Sequence, residues 1–343
     1  MVFRDDDPER EAAGSGVVTS EALLEMVEDD LGGEVLEDID PTIADVADVA
    51  DGKPLSQWRL FRRRFLRHRL AVAALIVLSI LLLSALFAPL ITKHDPVAQD
   101  LTNLRQPPNG EHWFGTDNLG RDLFARVVYA GRISLKIGFL VSLLSTLIGM
   151  IVGSIAGYVG RWVESLLMRI TDLFLIIPGL AVLIVANNNF RGKRIFGFDL
   201  GTDTLAILIL SLLLWTTMAR VVRGVVLSLK EKEFVEAARA SGASTARIIV
   251  RHILPNCIGP IVVNTTLVVG IAILLESTLS FLGFGVQPPE VSWGYLVNDA
   301  RGTAGTRYAY LIYFPGAAIS LTLLAVNFLG DGLRDAFDPT SKH

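Results

Sequence analysis

The sequence predicts an all-α protein that crosses a membrane six times, and three observations support this fold class. Half of the chain is hydrophobic (51%) and its mean hydropathy is +0.49, values that are rare in soluble domains. Six apolar runs of roughly 19 to 24 residues each have the length that a helix needs to cross a bilayer. Arginine and lysine gather beside these runs rather than inside them, as the loops of membrane proteins do.

The N-terminal segment differs from everything that follows. Residues 1–51 hold 17 acidic and 2 basic residues, whereas the remainder holds 18 acidic and 29 basic residues. A stretch with high net charge and few aromatic side chains cannot bury enough apolar surface to fold alone. We therefore expect residues 1–54 to form an acidic, mostly disordered cytoplasmic tail.

The second predicted segment, residues 55–132, contains the first membrane span and an external element. The span is Leu70–Ile91, and the run Trp58–Arg69 just before it carries six arginines. Basic residues beside a span favour the cytoplasmic side, so the N-terminus is predicted to be cytoplasmic. Aromatic side chains around Trp113 indicate an external or interfacial element after this span.

A core domain over residues 133–330 is predicted to supply the other five spans. The second span is Ile137–Tyr158, in which Gly149, Gly153 and Gly157 share one helix face and permit a close helix contact. The third span, Leu166–Ala186, is the weakest, because Arg169 and Asp172 lie in its first turns. Their spacing of three residues predicts a local ion pair.

Three more apolar runs complete the topology. They are Thr204–Val222, Ile258–Phe281 and Leu311–Leu329. An even number of spans returns the chain to its starting side, so residues 331–343 are predicted to be a cytoplasmic tail. One outer loop, residues 187–203, carries three basic residues against this trend.

The loop between the fourth and fifth spans, residues 231–255, is the most distinctive cytoplasmic element. Its composition predicts a helix over Glu231–Ser241, a turn at Gly242, where glycine tolerates a left-handed backbone, and a second helix over Ala243–Ile253 that stops near Pro255. Small residues allow close approach to another surface, so the loop suits a docking knob or, alternatively, a connector that rests on the lipid interface. The candidate docking residues are Phe234, Glu236, Ala237, Ala238, Gly242 and Pro255.

Polar side chains within the spans are the candidates for a translocation pathway, because polar groups at membrane depth face a cavity or another helix rather than lipid. Glu276 is the sharpest candidate, since it is an acid within an apolar run. Pairing with another subunit or exposure to outer water remains an alternative for it. The candidate set is Asn264, Thr265, Glu276, Ser277 and Thr216.

Several segments resemble one family of transport proteins. The stretch "EAARASG" at 236–242, followed by Leu254–Pro255, resembles the EAA motif of ABC importer permeases, although His252 stands where that motif has isoleucine. The stretches "HWFGTDNLGRDLFARVVYAGRISL" at 112–135, "ESTLSFLGFGVQPPEVSWG" at 276–294 and "GDGLRDAFDP" at 330–339 resemble the oligopeptide/dipeptide/nickel branch. The acidic tail and the segment near 187–203 fall outside this pattern.

This resemblance implies a type I importer permease with six transmembrane helices in the inner (plasma) membrane. It implies four kinds of partner: a second, homologous permease as heterodimer, two cytoplasmic ABC ATPases, an extracytoplasmic solute-binding protein and the lipid bilayer. The 231–255 loop would be the helix that seats in a cleft of the ATPase. Peptides are the implied substrate, with nickel or another small solute as the alternative.

The chain is not expected to bind a cofactor or nucleic acid, or to act as an enzyme. It lacks the G-x-x-x-x-G-K-[ST] loop, so ATP and Mg²⁺ are expected on the partner ATPases. Its single cysteine and scattered histidines form no metal-type cluster in sequence. An intramembrane enzyme is disfavoured because no catalytic pair stands out, and an ion-coupled carrier because no inverted repeat does.

Overall fold

The computed structural model describes residues 57–337, except 191–193, 196–197 and 200. The chain divides into a unit of residues 1–62, of which helical residues 57–62 are described, and a unit of residues 63–343 that contains the long apolar helices. The predicted N-terminal tail (residues 1–54) and residues 338–343 of the predicted C-terminal tail lie outside the described residues, whereas residues 331–337 of that tail continue the last helix.

The described fold consists of helices with one two-stranded hairpin. The hairpin pairs β1 (Arg194–Ile195) with β2 (Phe198–Asp199) in antiparallel fashion. The helices are α1 Gln57–Arg67, α2 Arg69–Leu86, α3 Ala88–Ile91, α4 Leu123–Val159, α5 Arg161–Ile176, α6 Gly179–Phe190, α7 Thr202–Leu229, α8 Glu233–Ala240, α9 Thr245–Ile248, α10 Ile258–Phe281, α11 Trp293–Asp299 and α12 Tyr310–Phe337.

Five segments of the described chain are long and apolar enough to cross a membrane, and they contain α2, α4, α7, α10 and α12. The remaining predicted span, the third in chain order, is not one straight helix, because α5 and α6 meet at an angle of 77°. The prediction of a continuous third span is therefore wrong in its geometry. The cause is Pro178: the preceding Ile177 is forced into an extended conformation (φ −68°, ψ 123°), and this ends α5.

The bent pair nevertheless packs along α7, which it contacts between residues 213 and 223. Successive residues of α5 and α6 contact successively earlier residues of α7, so the pair passes antiparallel beside it. The prediction that Asp172 pairs with Arg169 on its own helix is wrong. The Asp172 carboxylate instead accepts from Arg220 of α7, at 2.5 Å. The contacts are Glu164 with Arg223, Asp172 with Arg220, Phe174 with Trp215 and Gly179 with Leu213.

The glycine face of α4 packs directly onto α7, as the sequence predicts. A Cβ atom built at Gly153 would lie 2.5 Å from the Ala219 carbonyl oxygen, and one at Gly149 would lie 2.7 Å from that of Trp215. Gly157 meets α7 one turn further on, at Val226. Because residue numbers rise together on both helices, α4 and α7 are parallel, and at Gly149 and Gly153 the backbone of α7 approaches α4 directly.

Helices α10, α12 and α2 close the bundle in alternating directions. Gly259 of α10 lies against Phe337 of α12, and Gly330 lies against Thr266. At the same end, Gly332 lies against Ala71 of α2. The start of the first span, the end of the last span and the loop before α10 therefore share one end of the bundle, called here the loop end.

Three apolar clusters follow one another along the bundle. The cluster at the loop end contains Val226 and Val235, the middle cluster contains Ile137 and Leu210, and the cluster at the opposite end contains Trp293. Trp293 also donates from Nε1 to the Val127 carbonyl at 2.9 Å. Apolar packing is thus present at the loop end, in the middle and at the opposite end of the bundle.

Candidate functional site

Helix α8 is a short, well-terminated helix within the predicted docking loop. Glu233 and Glu236 lie in its first turn, where carboxylates complement the positive end of the helix dipole. Gly242 adopts φ +78°, as the sequence predicts for the turn. The Gly242 N–H donates to the Arg239 carbonyl at 3.0 Å, and the Ala243 N–H donates to the Ala238 carbonyl at 3.1 Å. The two bonds together form a Schellman motif.

One side chain of α8 fixes the helix to the bundle. Val235 is fully buried, and it packs in the apolar cluster at the loop end together with Met218 and Val222 of α7, Ile253 near the end of the loop and Cys257 just beyond it. The Arg239 guanidinium also lies 5.9 Å from the centre of the Tyr158 ring at the end of α4. The loop is therefore packed against α7 and against the entry to α10.

The opposite face of α8 is exposed at several predicted docking positions. Phe234 is 41% exposed although it is aromatic, and Glu236 and Ala237 are also exposed. A Cβ atom at Gly242 would meet nothing within 4 Å. Ala238 is half-buried against the loop-end cluster, and Pro255 is exposed. An exposed aromatic side chain beside small residues is typical of a docking face.

The connection from the loop into α10 is continuous, so the predicted stop near Pro255 is wrong. α9 passes into a π-helical turn at Ile249–Ile253 and a 3₁₀ turn at Leu254–Cys257, which leads directly into α10. Pro255 lies in the first turn of the 3₁₀ segment, where its missing N–H leaves no hydrogen bond unmade. The loop is thereby joined to α10 by helical backbone.

Three of the predicted pathway residues lie in the interior of the bundle. Thr216 is 1% exposed and its hydroxyl bonds its own helix at the Leu213 carbonyl. The Thr265 hydroxyl lies 2.9 Å from that of Thr146 on α4. Asn264 differs, because its buried Oδ1 has no hydrogen-bond partner among the described residues. An unpaired buried acceptor is costly, so Asn264 is the residue of this group most suited to a polar ligand or partner.

Glu276 and Ser277 lie instead in a serine cluster near the end of α10. Glu276 is fully buried, and Ser280 donates to its Oε1 at 2.6 Å. The Ser280 hydroxyl also accepts from the Val286 N–H and contacts the Ser292 hydroxyl at 3.2 Å. Glu276 is therefore buried within the chain and takes part in fixing the segment 283–292 onto α10. Exposure to outer water, one alternative for this residue, is excluded.

The structure does not bring the five pathway candidates together. Glu276 lies 11 residues beyond Thr265 on the same helix, a distance of about 17 Å along the axis. Thr216 is on α7. The candidates thus mark two separate levels of the bundle.

An ionic cluster at the end opposite the loop was not predicted from the sequence. Arg126 at the start of α4 is 2% exposed and bonds Asp117, which also accepts from Arg121 at 2.7 Å. Asp299 of α11 lies 3.4 Å from both arginines. Its members are separated by up to 182 positions of sequence, so no local pattern announces it. The cluster joins the segment before α4 to α11.

A cavity of about 610 Å³ opens beside this cluster. Its wall includes Arg121, Arg132, His94 and Glu290. Burial, together with the neighbouring Asp203 carboxylate, raises the pKa of Glu290 above its usual value. Both signs of charge therefore face the cavity.

Two family models match the chain. One, described as the inner membrane component of binding-protein-dependent transport systems, matches residues 149–343. The other, described as the N-terminal transmembrane domain of oligopeptide transport permease C, matches residues 56–108. Together they cover most of the described helices, including the docking loop.

Characterised relatives are similar over most of their length. The dipeptide transport system permease protein DppC of Bacillus subtilis is 44% identical over 277 residues, which cover 81% of this chain and 84% of the relative. The DppC protein of Alkalihalophilus pseudofirmus is 41% identical over 290 residues, covering 84% and 91%. The oligopeptide transport system permease protein OppC of Bacillus subtilis is 39% identical over 302 residues, covering 88% and 96%.

A solved structure shares the fold. A chain of the MetNI methionine ABC transporter in an inward-facing conformation superposes with a TM-score of 0.50 at 20% identity, covering 63% of this chain and 96% of that chain. The likeness is one of architecture.

Proposed function

Because this chain belongs to the family of inner membrane components of binding-protein-dependent transport systems, we propose that it is a permease subunit of an ATP-driven peptide importer. It is a multi-pass inner-membrane protein with the fold of an ABC importer permease. Transport in this family involves a binding protein and an ATPase. The names of the relatives, which are dipeptide and oligopeptide permeases, support peptides as the substrate class.

The observation that carries the mechanism is the two-faced helix α8. Val235 is fully buried against α7, while Phe234 and Glu236 remain exposed on the other side. A partner that grips the exposed face therefore moves a helix that is packed onto α7 and continuous with α10. We propose that closure of two cytoplasmic ATPases, which use ATP and Mg²⁺, displaces α8 and thereby tilts these spans.

This mechanism sets the orientation and the other partners. The loop end, with the start of the first span and the end of the last, faces the cytoplasm. The opposite end, with the ionic cluster and the cavity, faces the extracytoplasmic binding protein. A second, homologous permease completes the pathway, since a type I importer passes its substrate between two such subunits. The chain itself is proposed to have no catalytic activity.

Within the pathway, Asn264 is the residue proposed to meet the substrate. Its unpaired Oδ1 is at the depth where α10 contacts α4, and Thr265 lies beside it. Peptide N–H groups are donors that this acceptor would satisfy. Thr216, Glu276 and Ser277 are proposed instead to support the wall, since their side chains are buried and bonded within the chain.

An uptake competition tests the substrate class. Labelled dipeptide, tripeptide and nickel ions are offered to cells that possess or lack this chain. Peptide uptake that depends on the chain, and that unlabelled peptide but not nickel suppresses, is the expected result. Chain-dependent uptake of nickel with unchanged peptide uptake would replace peptide by metal as the substrate.

A further inference from the structure

We infer that His94, His112 and Asp122 form a binding site for a divalent transition-metal cation of the Zn²⁺ class, at the end of the bundle opposite the loop. One ring nitrogen of each histidine and one carboxylate oxygen of Asp122 lie within 4.8 Å of one another. Neutral imidazole and carboxylate are ligands that Zn²⁺ takes in proteins. The three residues are separated in the chain by 18 and 10 positions and meet only in the fold.

Two of the ligands are held in place by the surrounding backbone. Asp122 is the N-cap of α4, and its Oδ1 accepts from the Ala125 N–H at 2.7 Å, which directs Oδ2 away from the helix. His112 is fixed by a turn in which its N–H bonds the Asn109 side chain at 2.8 Å. The His112 Nδ1 lies 2.8 Å from the Asp122 Oδ2. Both side chains are buried, so the pair is preorganised.

The third ligand, His94, is positioned to complete the site and to admit the cation. Its ring lies 4.8 Å from that of His112, centre to centre. It follows α3 in a connection without regular structure, and its Nε2 is 3.3 Å from the Glu111 carbonyl, at the long end of hydrogen-bond distances. His94 also lines the cavity, which gives a route from outside.

The geometry requires only a small closure. Ligand atoms around a tetrahedral Zn²⁺ at about 2.0–2.2 Å lie about 3.3 Å from one another. The atoms furthest apart in this cluster must therefore approach by about 1.5 Å, and His94, the least buried of the three ligands, is the one that would move. Water would fill the fourth position. The nearby Arg121 and Arg126 both face the two carboxylates of Asp117 and Asp299, so their charges are already compensated.

The consequence of binding is a crosslink between the first two spans. His94 follows the first span by a few residues, and Asp122 begins α4. The cation would tie these two segments on the side proposed for the binding protein. Its role is structural, and it is distinct from any metal carried as substrate, because the site is built from buried groups at the edge of the bundle.

Zn²⁺ binding to the purified transport complex tests the site. The complex, containing the full chain without a polyhistidine tag, is stripped with chelator, reloaded with Zn²⁺ in excess Mg²⁺ and assayed for bound metal. We expect one Zn²⁺ per copy of this chain and at least about a 100-fold loss of affinity in His94→Ala, since losing even an outer partner of a ligand costs 10–100-fold. Co²⁺ in place of Zn²⁺ should show visible bands typical of tetrahedral coordination.

The matched control is His252→Ala, which removes a histidine at the loop end of the bundle and should retain the Zn²⁺. Zn²⁺ should also raise the denaturation temperature of the wild-type complex but not that of His94→Ala, as a ligand bound only by the folded state must. Equal Zn²⁺ binding by wild type and His94→Ala overturns the proposal, and so does displacement of the metal by Mg²⁺.

Discussion

Replacing Val235 with alanine should detach α8 from the bundle without changing its docking face. The substitution deletes two methyl groups from a fully buried side chain. At about 0.8 kcal/mol for each buried carbon, with a further contribution from the cavity left behind, the packed state should lose about 2 kcal/mol. This free energy corresponds to about a 30-fold larger population of the detached loop.

Hydrogen–deuterium exchange of the 233–248 amides measures that population directly, on the permease purified without its ATPases. Exchange should accelerate by about 30-fold in Val235→Ala, because these amides exchange only in the detached state and the exchange rate follows its population. Peptide transport per ATP hydrolysed should fall, since a detached helix transmits less displacement to α7 and α10.

The matched control is Phe234→Ala, one position away and 41% exposed. This change removes apolar surface from the docking face and leaves the buried cluster intact. Exchange of the loop should match wild type, while binding of the ATPases weakens. Wild-type exchange rates in Val235→Ala, or equal acceleration in both variants, would refute the reasoning that burial of Val235 anchors the helix.

Three further substitutions and one deletion test other parts of the molecule. Gly153→Ala should destabilise the α4–α7 contact by about 1–3 kcal/mol through overpacking and lower the yield of folded protein, whereas Gly224→Ala, which meets nothing within 4 Å, should leave the yield unchanged. Glu236→Trp should reduce ATPase co-purification at least about tenfold, and Gly242→Val should act similarly by straining a backbone at φ +78°. Deletion of residues 1–50 should leave peptide uptake largely intact, and a loss of uptake would assign that tail a role.

The membrane spans were predictable because their determinants are local. An apolar run of membrane length specifies a helix by itself, and five runs appear in the structure as long helices. The turn at Gly242 and the helix contact of the glycines at 149–157 were also predictable from the sequence. A left-handed backbone and a close helix contact both favour glycine over other residues.

Several of the wrong or missing predictions concern side chains whose partners are distant in sequence. Asp172 bonds Arg220 on another helix, and the ionic cluster of Arg126 draws on Asp299. Glu276 is bonded by Ser280 four residues further along α10, but the contact of Ser280 with Ser292, beyond the helix end, is not readable from the neighbouring sequence. The helix break at Pro178 is different, because it has a local cause. The residue before a proline is biased away from helix, so the sequence alone indicates this break.

The glycine contact between α4 and α7 limits how the bundle is able to change shape. The glycines recur every four residues. At Gly149 and Gly153, backbone oxygen atoms of α7 lie 2.5–2.7 Å from the position that a Cβ atom would occupy. A partial slip would drive the larger neighbouring side chains of α4 into that backbone, so the two helices must travel as one rigid body. Relative movement is then confined to joints elsewhere, at the Pro178 bend and at the π-helical turn before α10, where the helical hydrogen-bond pattern is already interrupted.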